Sequence, residues 1–188
     1  MKKEAKFFRE AAWSQLKGHW KPAVLFTLVY VIIASVAQLI GSKSDLVSIL
    51  ISLLALVPLG YGFTVAFLDF KRTGAPLKIE QMFDGFKDYG RVLTTKLLET
   101  IYIILWSLLL FIPGIIKSIS YSQTSFILKD YPELKNNAAI ELSMAMMKGH
   151  KFDYFYLTLT FIGWIFLGIL TLGIGLLWVN PYYATASA

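Results

Sequence analysis

Residues 22–40 read Pro22-Ala-Val-Leu-Phe-Thr-Leu-Val-Tyr-Val-Ile-Ile-Ala-Ser-Val-Ala-Gln-Leu-Ile40, without one charged side chain. As a helix this run is about 28 Å long, close to the hydrocarbon thickness of a bilayer. A short polar turn, Gly41-Ser-Lys-Ser-Asp45, leads to a second uncharged run, Leu46 to Leu68. Both runs are continuous and rich in Leu and Ile. A membrane barrel would show short alternating segments instead, so the spans are predicted to be helices. The fold class expected is all-α: a polytopic membrane helical bundle.

The rest of the chain extends this reading. Of its 188 residues, 56% are hydrophobic and 16% are charged, against about a quarter charged in soluble chains. The charges are bunched into blocks. With no cysteine, disulfides, thiol nucleophiles and thiolate metal sites are excluded. No small-residue cleavage site accompanies the first apolar stretch, so no removable leader is expected.

A single membrane domain, 1–188, divides as follows. Residues 1–21 hold an amphipathic helix, read over 3–20, in which Phe8, Ala12, Leu16 and Trp20 recur every fourth position. That pattern suits a helix lying among headgroups. Hairpin 1 is 22–68, a charged segment 69–91 follows, and hairpin 2 is 92–128. Its first arm runs to Ile112 and stops at the turn signal Pro113-Gly114; its second, 115–128, is unusually polar. Residues 129–151 form another charged surface segment, and hairpin 3 is 152–188, turning at Gly173-Ile-Gly175. Six transmembrane helices are therefore predicted. The last residues carry no charge, and Ala188 is placed about one turn inside the apolar layer, where a free carboxylate is costly. Hairpin 3 is thus expected to continue beyond Ala188.

The formal charge is +6. Sixteen of the 18 Lys and Arg lie before Pro22, in 71–96 or in 129–151, leaving only Lys43 and Lys117 elsewhere. The positive-inside rule then puts the N-terminus and both long loops in the cytoplasm of a plasma-membrane protein. Anionic headgroups of that leaflet are the expected partners, together with a membrane-protein partner, and nucleic acid is not.

The hairpins also predict a threefold internal repeat. A shift of 61 residues superposes Leu98 on Leu159, Ile101 on Ile162, Gly114 on Gly175, Tyr121 on Tyr182 and Thr124 on Thr185. A shift of 60 brings Tyr61 and Thr64 onto the same Tyr-x-x-Thr pattern. Lys17-Gly-His19 recurs as Lys148-Gly-His150. Repeats with interrupted helices are common in transport folds, where the breaks mark a binding site. Pro58, Pro113 and Pro181 are the breaks here, and each is equally readable as a kink in a packed span.

Candidate site residues are the polar groups inside spans. Glu99 suits a proton relay or ion ligand; alternatively Lys96, three residues earlier, pairs with it. Lys117 is expected to reach outward to headgroups along its stem. Ser118, Ser120, Ser122, Gln123, Thr124 and Ser125 make the fourth span too polar for lipid, either lining a cavity, with Tyr121, or bonding to neighbouring helices. Tyr61, Thr64, Tyr182 and Thr185 are the counterparts of Tyr121 and Thr124 in the repeat, and Asn180-Pro181 adds a break that frees backbone groups. His19 and His150 read as helix-start residues rather than metal ligands, and no cofactor is expected. Trp13, Trp20, Trp164 and Trp178 fit interfacial belts or packing. No phosphate loop, nucleophile elbow, HExxH or paired-acid motif appears.

Phe111-Ile-Pro-Gly-Ile115, Tyr121-Ser122, Ser143 with Met147-Lys-Gly149, Phe161-Ile-Gly-Trp164, and Gly173-Ile-Gly175 with Trp178 and Pro181-Tyr182 together resemble an uncharacterised bacterial membrane family, domain of unknown function number 975. The first half matches through Ala12, Leu16, Gly18 and Trp20. The resemblance implies a bacterial multi-pass membrane protein and no established activity. Membrane domains attached to some glycerophosphodiester phosphodiesterases are similar in layout, which implies an accessory role by analogy alone. The leading expectation is a non-enzymatic protein acting through partners or lipids. The alternatives are a small transporter or channel using the fourth span, and a membrane-embedded enzyme on lipid substrates.

Overall fold

The computed structural model describes residues 5–42 and 44–188, in which all regular structure is helical. Lys3, Glu4 and Lys43, part of the segments read above, lie outside the described residues. Helix α1 (Ala5–Leu16) precedes α2 (Trp20–Gly41). Helix α3 (Asp45–Ile51) passes through a π-helical turn, Ser52–Leu56, into α4 (Val57–Thr73). The wide turn lets the helix absorb Pro58, which cannot donate a backbone hydrogen bond. A 3₁₀ turn (Ile79–Phe83) and α5 (Asp84–Lys87) lead to α6 (Tyr89–Leu109). Then come α7 (Phe111–Tyr121), α8 (Thr124–Asp130), α9 (Asn137–Met146), α10 (Lys151–Leu170) and α11 (Leu176–Ser187).

Four helices among the described residues are long and apolar enough to cross a membrane: Trp20–Gly41, Asp45–Thr73, Tyr89–Leu109 and Lys151–Leu170. The segments expected as the fourth and sixth spans are shorter. One is split into α7 and α8, and the other is a 12-residue helix. The split has a local cause. At Ser122–Gln123 the Gln123 amide donates to the Ser143 hydroxyl (3.2 Å), and the Thr124 hydroxyl donates to the Tyr121 carbonyl (2.7 Å). Side chains there take over bonds that a continuous helix makes with its own backbone.

The turn of the second hairpin also differs from expectation. The break falls at Leu110, whose backbone is extended, while Pro113 and Gly114 lie in the first turn of α7. Proline is tolerated there, because its missing N–H would have no partner anyway. In all three hairpins small residues seven apart meet at the bend. A Cβ on Gly41 would stand 2.8 Å from the Ser48 Cα, one on Gly114 2.2 Å from the Ser107 Oγ, and one on Gly175 2.9 Å from the Gly168 Cα.

Packing is concentrated at the end away from these bends. Phe26, Phe67, Phe70, Met82 and Phe161 form one core, and Tyr61, Val65, Val92, Ile127 and Leu128 a second. Helix α4 contributes to both and is the central element. The hairpin ends stand clear of the core, with Leu39 70%, Leu108 78% and Leu170 64% exposed. Apolar surface this continuous is not that of a soluble monomer and suits lipid.

Helix α1 buries Ala5, Ala12 and Leu16 against α10 and α11. Helix α9 likewise buries Ala139, Ile140 and Ser143 against α6, α7 and α8. This corrects the expectation that these amphipathic faces meet lipid headgroups: the apolar stripes face protein. The arrangement has a cyclic order. The 3₁₀ turn and α5 cover α4, and α9 covers α8, each following in the chain the helix it covers; α11 is covered by α1. The turns that lead into α2 and α10 match as well. Gly18 and Gly149 take φ of +90° and +87°, a region open to glycine at little cost. The His19 and His150 amides donate to the Leu16 and Met147 carbonyls at 2.8 and 3.1 Å.

Candidate functional site

The three Tyr-x-x-Thr pairs do not converge on a common site. Tyr61 packs with Val65, Val92, Ile127 and Leu128. Tyr121 lies under the Lys117 ammonium, which is 5.9 Å from its ring centroid. Tyr182 sits among aromatic rings, 5.6 Å from Trp13, 6.4 Å from Trp20 and 6.3 Å from Trp164. The threonine hydroxyls are spent on nearby backbone: Thr64 donates to the Gly60 carbonyl (2.9 Å) and Thr185 to Pro181 (2.7 Å) within their own helices, and Thr124 to Tyr121 (2.7 Å) across the break between α7 and α8. A hydroxyl so engaged bends or steadies a helix and has no proton left for a ligand. Asn180 is exposed while Pro181 beside it is buried, so this break does not open toward the interior.

Glu99 is 8% exposed and accepts from the Lys96 ammonium at 2.8 Å. Nearby, the Asn136 amide donates to the Thr95 hydroxyl (2.8 Å), and the Tyr102 hydroxyl to the Asn137 side-chain oxygen (2.9 Å). These bonds fasten α6 to the start of α9. Glu99 thus belongs to a closed pair, the second of the two readings open from sequence. Lys117 corrects its expectation. It does not reach outward but lies 4.7 Å above the Trp106 ring and 3.8 Å from the Met144 sulfur. A cation over an indole face is stabilised without a carboxylate.

At the other end of the core, charges tie the second arms together. Arg72 grips Asp130 with two bonds, 2.5 and 2.7 Å, and Lys129 reaches Asp69 at 3.1 Å. The Arg72 guanidinium holds the Asp130 carboxyl below its usual range. The stabilisation from this pair is therefore present above the ordinary carboxylate pKa and is lost as the pH falls through the lowered value. Arg91 pairs with Asp88 and also donates to the Leu128 and Leu134 carbonyls, both at 2.9 Å, and to Tyr131 at 3.4 Å. It closes off the carbonyl end of α8.

A cavity of about 530 Å³ opens between α1, α4, the break between α7 and α8, the end of α9, α10 and α11. Phe8, Met147 and Leu157 give it an apolar wall, and Lys71, Gln123, His150, Asp153 and Tyr154 line it with polar groups. Gln123 is half-buried, and its amide nitrogen donates to the Ser122 hydroxyl at 3.2 Å. The Lys71 ammonium has no hydrogen-bond or ion-pair partner among the described residues. Among the described residues the Asp153 carboxylate has one ionisable neighbour within 4.0 Å, His150, with Nδ1 at 3.7 Å. The Tyr154 hydroxyl is 3.5 Å from that of Tyr183. Among the described residues no three His, Asp or Glu side chains gather as a metal-ligand set.

Of the residues singled out in the sequence, the structure brings Gln123 to this cavity, and His150 with it at the start of α10. Lys71, Asp153 and Tyr154 carried no signal, because each sits in a charged or apolar run that explains it locally, and Met147 stood out only through the family resemblance. His19 precedes α2 as His150 precedes α10, with its ring 5.6 Å from that of Phe70.

Comparison with known proteins gives one match. A family model described as "Protein of unknown function (DUF975)" fits residues 1–117 and 108–188. No curated protein and no solved structure matches the chain.

Proposed function

The chain belongs to the DUF975 family, and from that premise we propose a multi-pass plasma-membrane protein that works by binding an amphiphile rather than by catalysis. In this reading the chain crosses the bilayer in three repeated hairpins, six passes in all. The N-terminus and the packed core are cytoplasmic, and the hairpin bends lie outside. The matched small-residue contacts at the three bends, the cyclic covering of the second arms and the Lys and Arg distribution support it. The observation that carries the functional part is the cavity. There an apolar wall meets the Lys71 ammonium, which has no partner among the described residues, and the Asp153 carboxylate, held only by a 3.7 Å contact with His150, as binding sites for small amphiphilic molecules are built. Glu99 and the threonines, the groups most suited to a transport path or proton relay, are held in internal bonds.

Two measurements test this. The chain has no cysteine, so single cysteines report alone. One at Ser44 should be labelled from outside and one at Gly74 from the cytoplasmic side; labelling of both from one side rejects the topology. A cysteine replacing Gln123 should react with maleimide in delipidated protein and be protected when total membrane lipid is restored. Equal reactivity in both states rejects the binding role.

Gln123→Leu bears on the structural alternative. Its amide makes one side-chain bond, to Ser122, so the change should cost no more than about 1 kcal/mol. Thermal unfolding in detergent would show this. A much larger loss makes Gln123 a structural fastener instead of a cavity residue.

A further inference from the structure

We propose that the cavity is selective for a zwitterionic headgroup, holding its phosphate against Lys71 and its primary ammonium against Asp153; this rests on the cavity being a lipid site. The two side chains line the same space with opposite charges, yet they do not pair with each other, since their charged atoms form no contact within 4.0 Å. Among the described residues the Lys71 ammonium has no acceptor. The Asp153 carboxylate has, among them, only a loose contact with His150, an imidazole 71% exposed.

Charges withdrawn from water without partners are costly. A ligand relieves both only by bringing one charge of each sign, separated as in the protein. A purely anionic headgroup meets Lys71 favourably and Asp153 unfavourably, and a purely cationic one does the reverse. The free side-chain oxygen of Gln123 adds an acceptor suited to an ammonium N–H. Phe8, Met147 and Leu157 form an apolar wall on which the first carbons of a chain can lie. Small zwitterions such as free amino acids leave that wall uncovered, so an amphiphile is the better occupant. Charge complementarity of this kind sets specificity more than raw affinity.

The experiment uses the whole chain in a neutral detergent, with a cysteine replacing Ser187, which lines the cavity but is given no part in holding the headgroup, as reporter. Lysophosphatidylethanolamine should protect it at about tenfold lower concentration than lysophosphatidylglycerol, one charge contact being enough for that ratio. Asp153→Asn should abolish this preference. Lys71→Met should weaken protection by both lipids about tenfold, whereas Lys21→Met, at an exposed lysine outside the cavity, should change neither. Lysophosphatidylcholine, whose ammonium has no N–H, should bind more weakly than the ethanolamine lipid. Should Lys71→Met fail to fold, the headgroup series on the parent protein still decides. Equal or better protection by the glycerol lipid overturns the zwitterion assignment and leaves the lipid site standing. Absence of protection by every lysolipid overturns both.

Discussion

Alanine at Gly85 should cost the protein about 4 kcal/mol and lower its melting temperature in detergent by about 8–16 °C. The Cβ it introduces would stand 2.1 Å from the Pro58 carbonyl oxygen and 2.8 Å from the carbonyl carbon. Both atoms belong to the backbone of α4, so no rotamer change relieves the overlap. The same interface is tight from the other side, where a Cβ at Gly62 would lie 2.0 Å from the Met82 oxygen. To accept the methyl group, the 3₁₀ turn and α5 must lift from α4, which uncovers Met82, now 0% exposed. Gly62→Ala should do the same. Gly163, with nothing within 4 Å of its Cβ position, is the control. Alanine there should be neutral or stabilise α10 by up to about 1 kcal/mol. Equal behaviour of Gly85→Ala and Gly163→Ala would show that the packing of α5 on α4 is not what holds the core.

Arg91→Ala should cost about 2–4 kcal/mol, and Arg91→Lys should recover less than half of it. The Arg91 side chain is 13% exposed, and its guanidinium serves Asp88, the Leu128 and Tyr131 carbonyls at the end of α8 and the Leu134 carbonyl in the connection that follows. Lysine supplies one point charge where a planar fork reaches several acceptors. Full rescue by lysine in a thermal-unfolding assay would mean that charge alone matters at this position. The loss should be distinct from that of Arg72→Ala. Arg72 makes one bidentate pair with Asp130, and its side chain is 51% exposed, a setting in which ion pairs contribute about 0–1 kcal/mol.

The helical class and the positions of the apolar runs were legible because hydrocarbon length is written directly into runs such as 22–40 and 46–68. The Lys96–Glu99 pair was legible too, since three-residue spacing puts both on one helix face. The bend at Leu110 was not, because Pro113-Gly114 signals a turn and a first helical turn with the same residues. The direction of the apolar faces of α1 and α9 was hidden for a different reason. Periodicity reveals that a face is apolar but not whether lipid or protein covers it. The cavity was nearly invisible. Phe8, Lys71, Gln123 and the 147–157 stretch are well separated in the chain, and only the fold makes them neighbours.

The cover that α1 provides for α11 has a consequence in time. Among the described helices, α1 leaves the ribosome before all the others and α11 after them. Until α11 is made, Ala12 and Leu16 lack the neighbours it supplies, although the helices of the first two hairpins are already present. Assembly is therefore a ring closed across the length of the chain, and the core reaches its final form only after α11 arrives to meet α1.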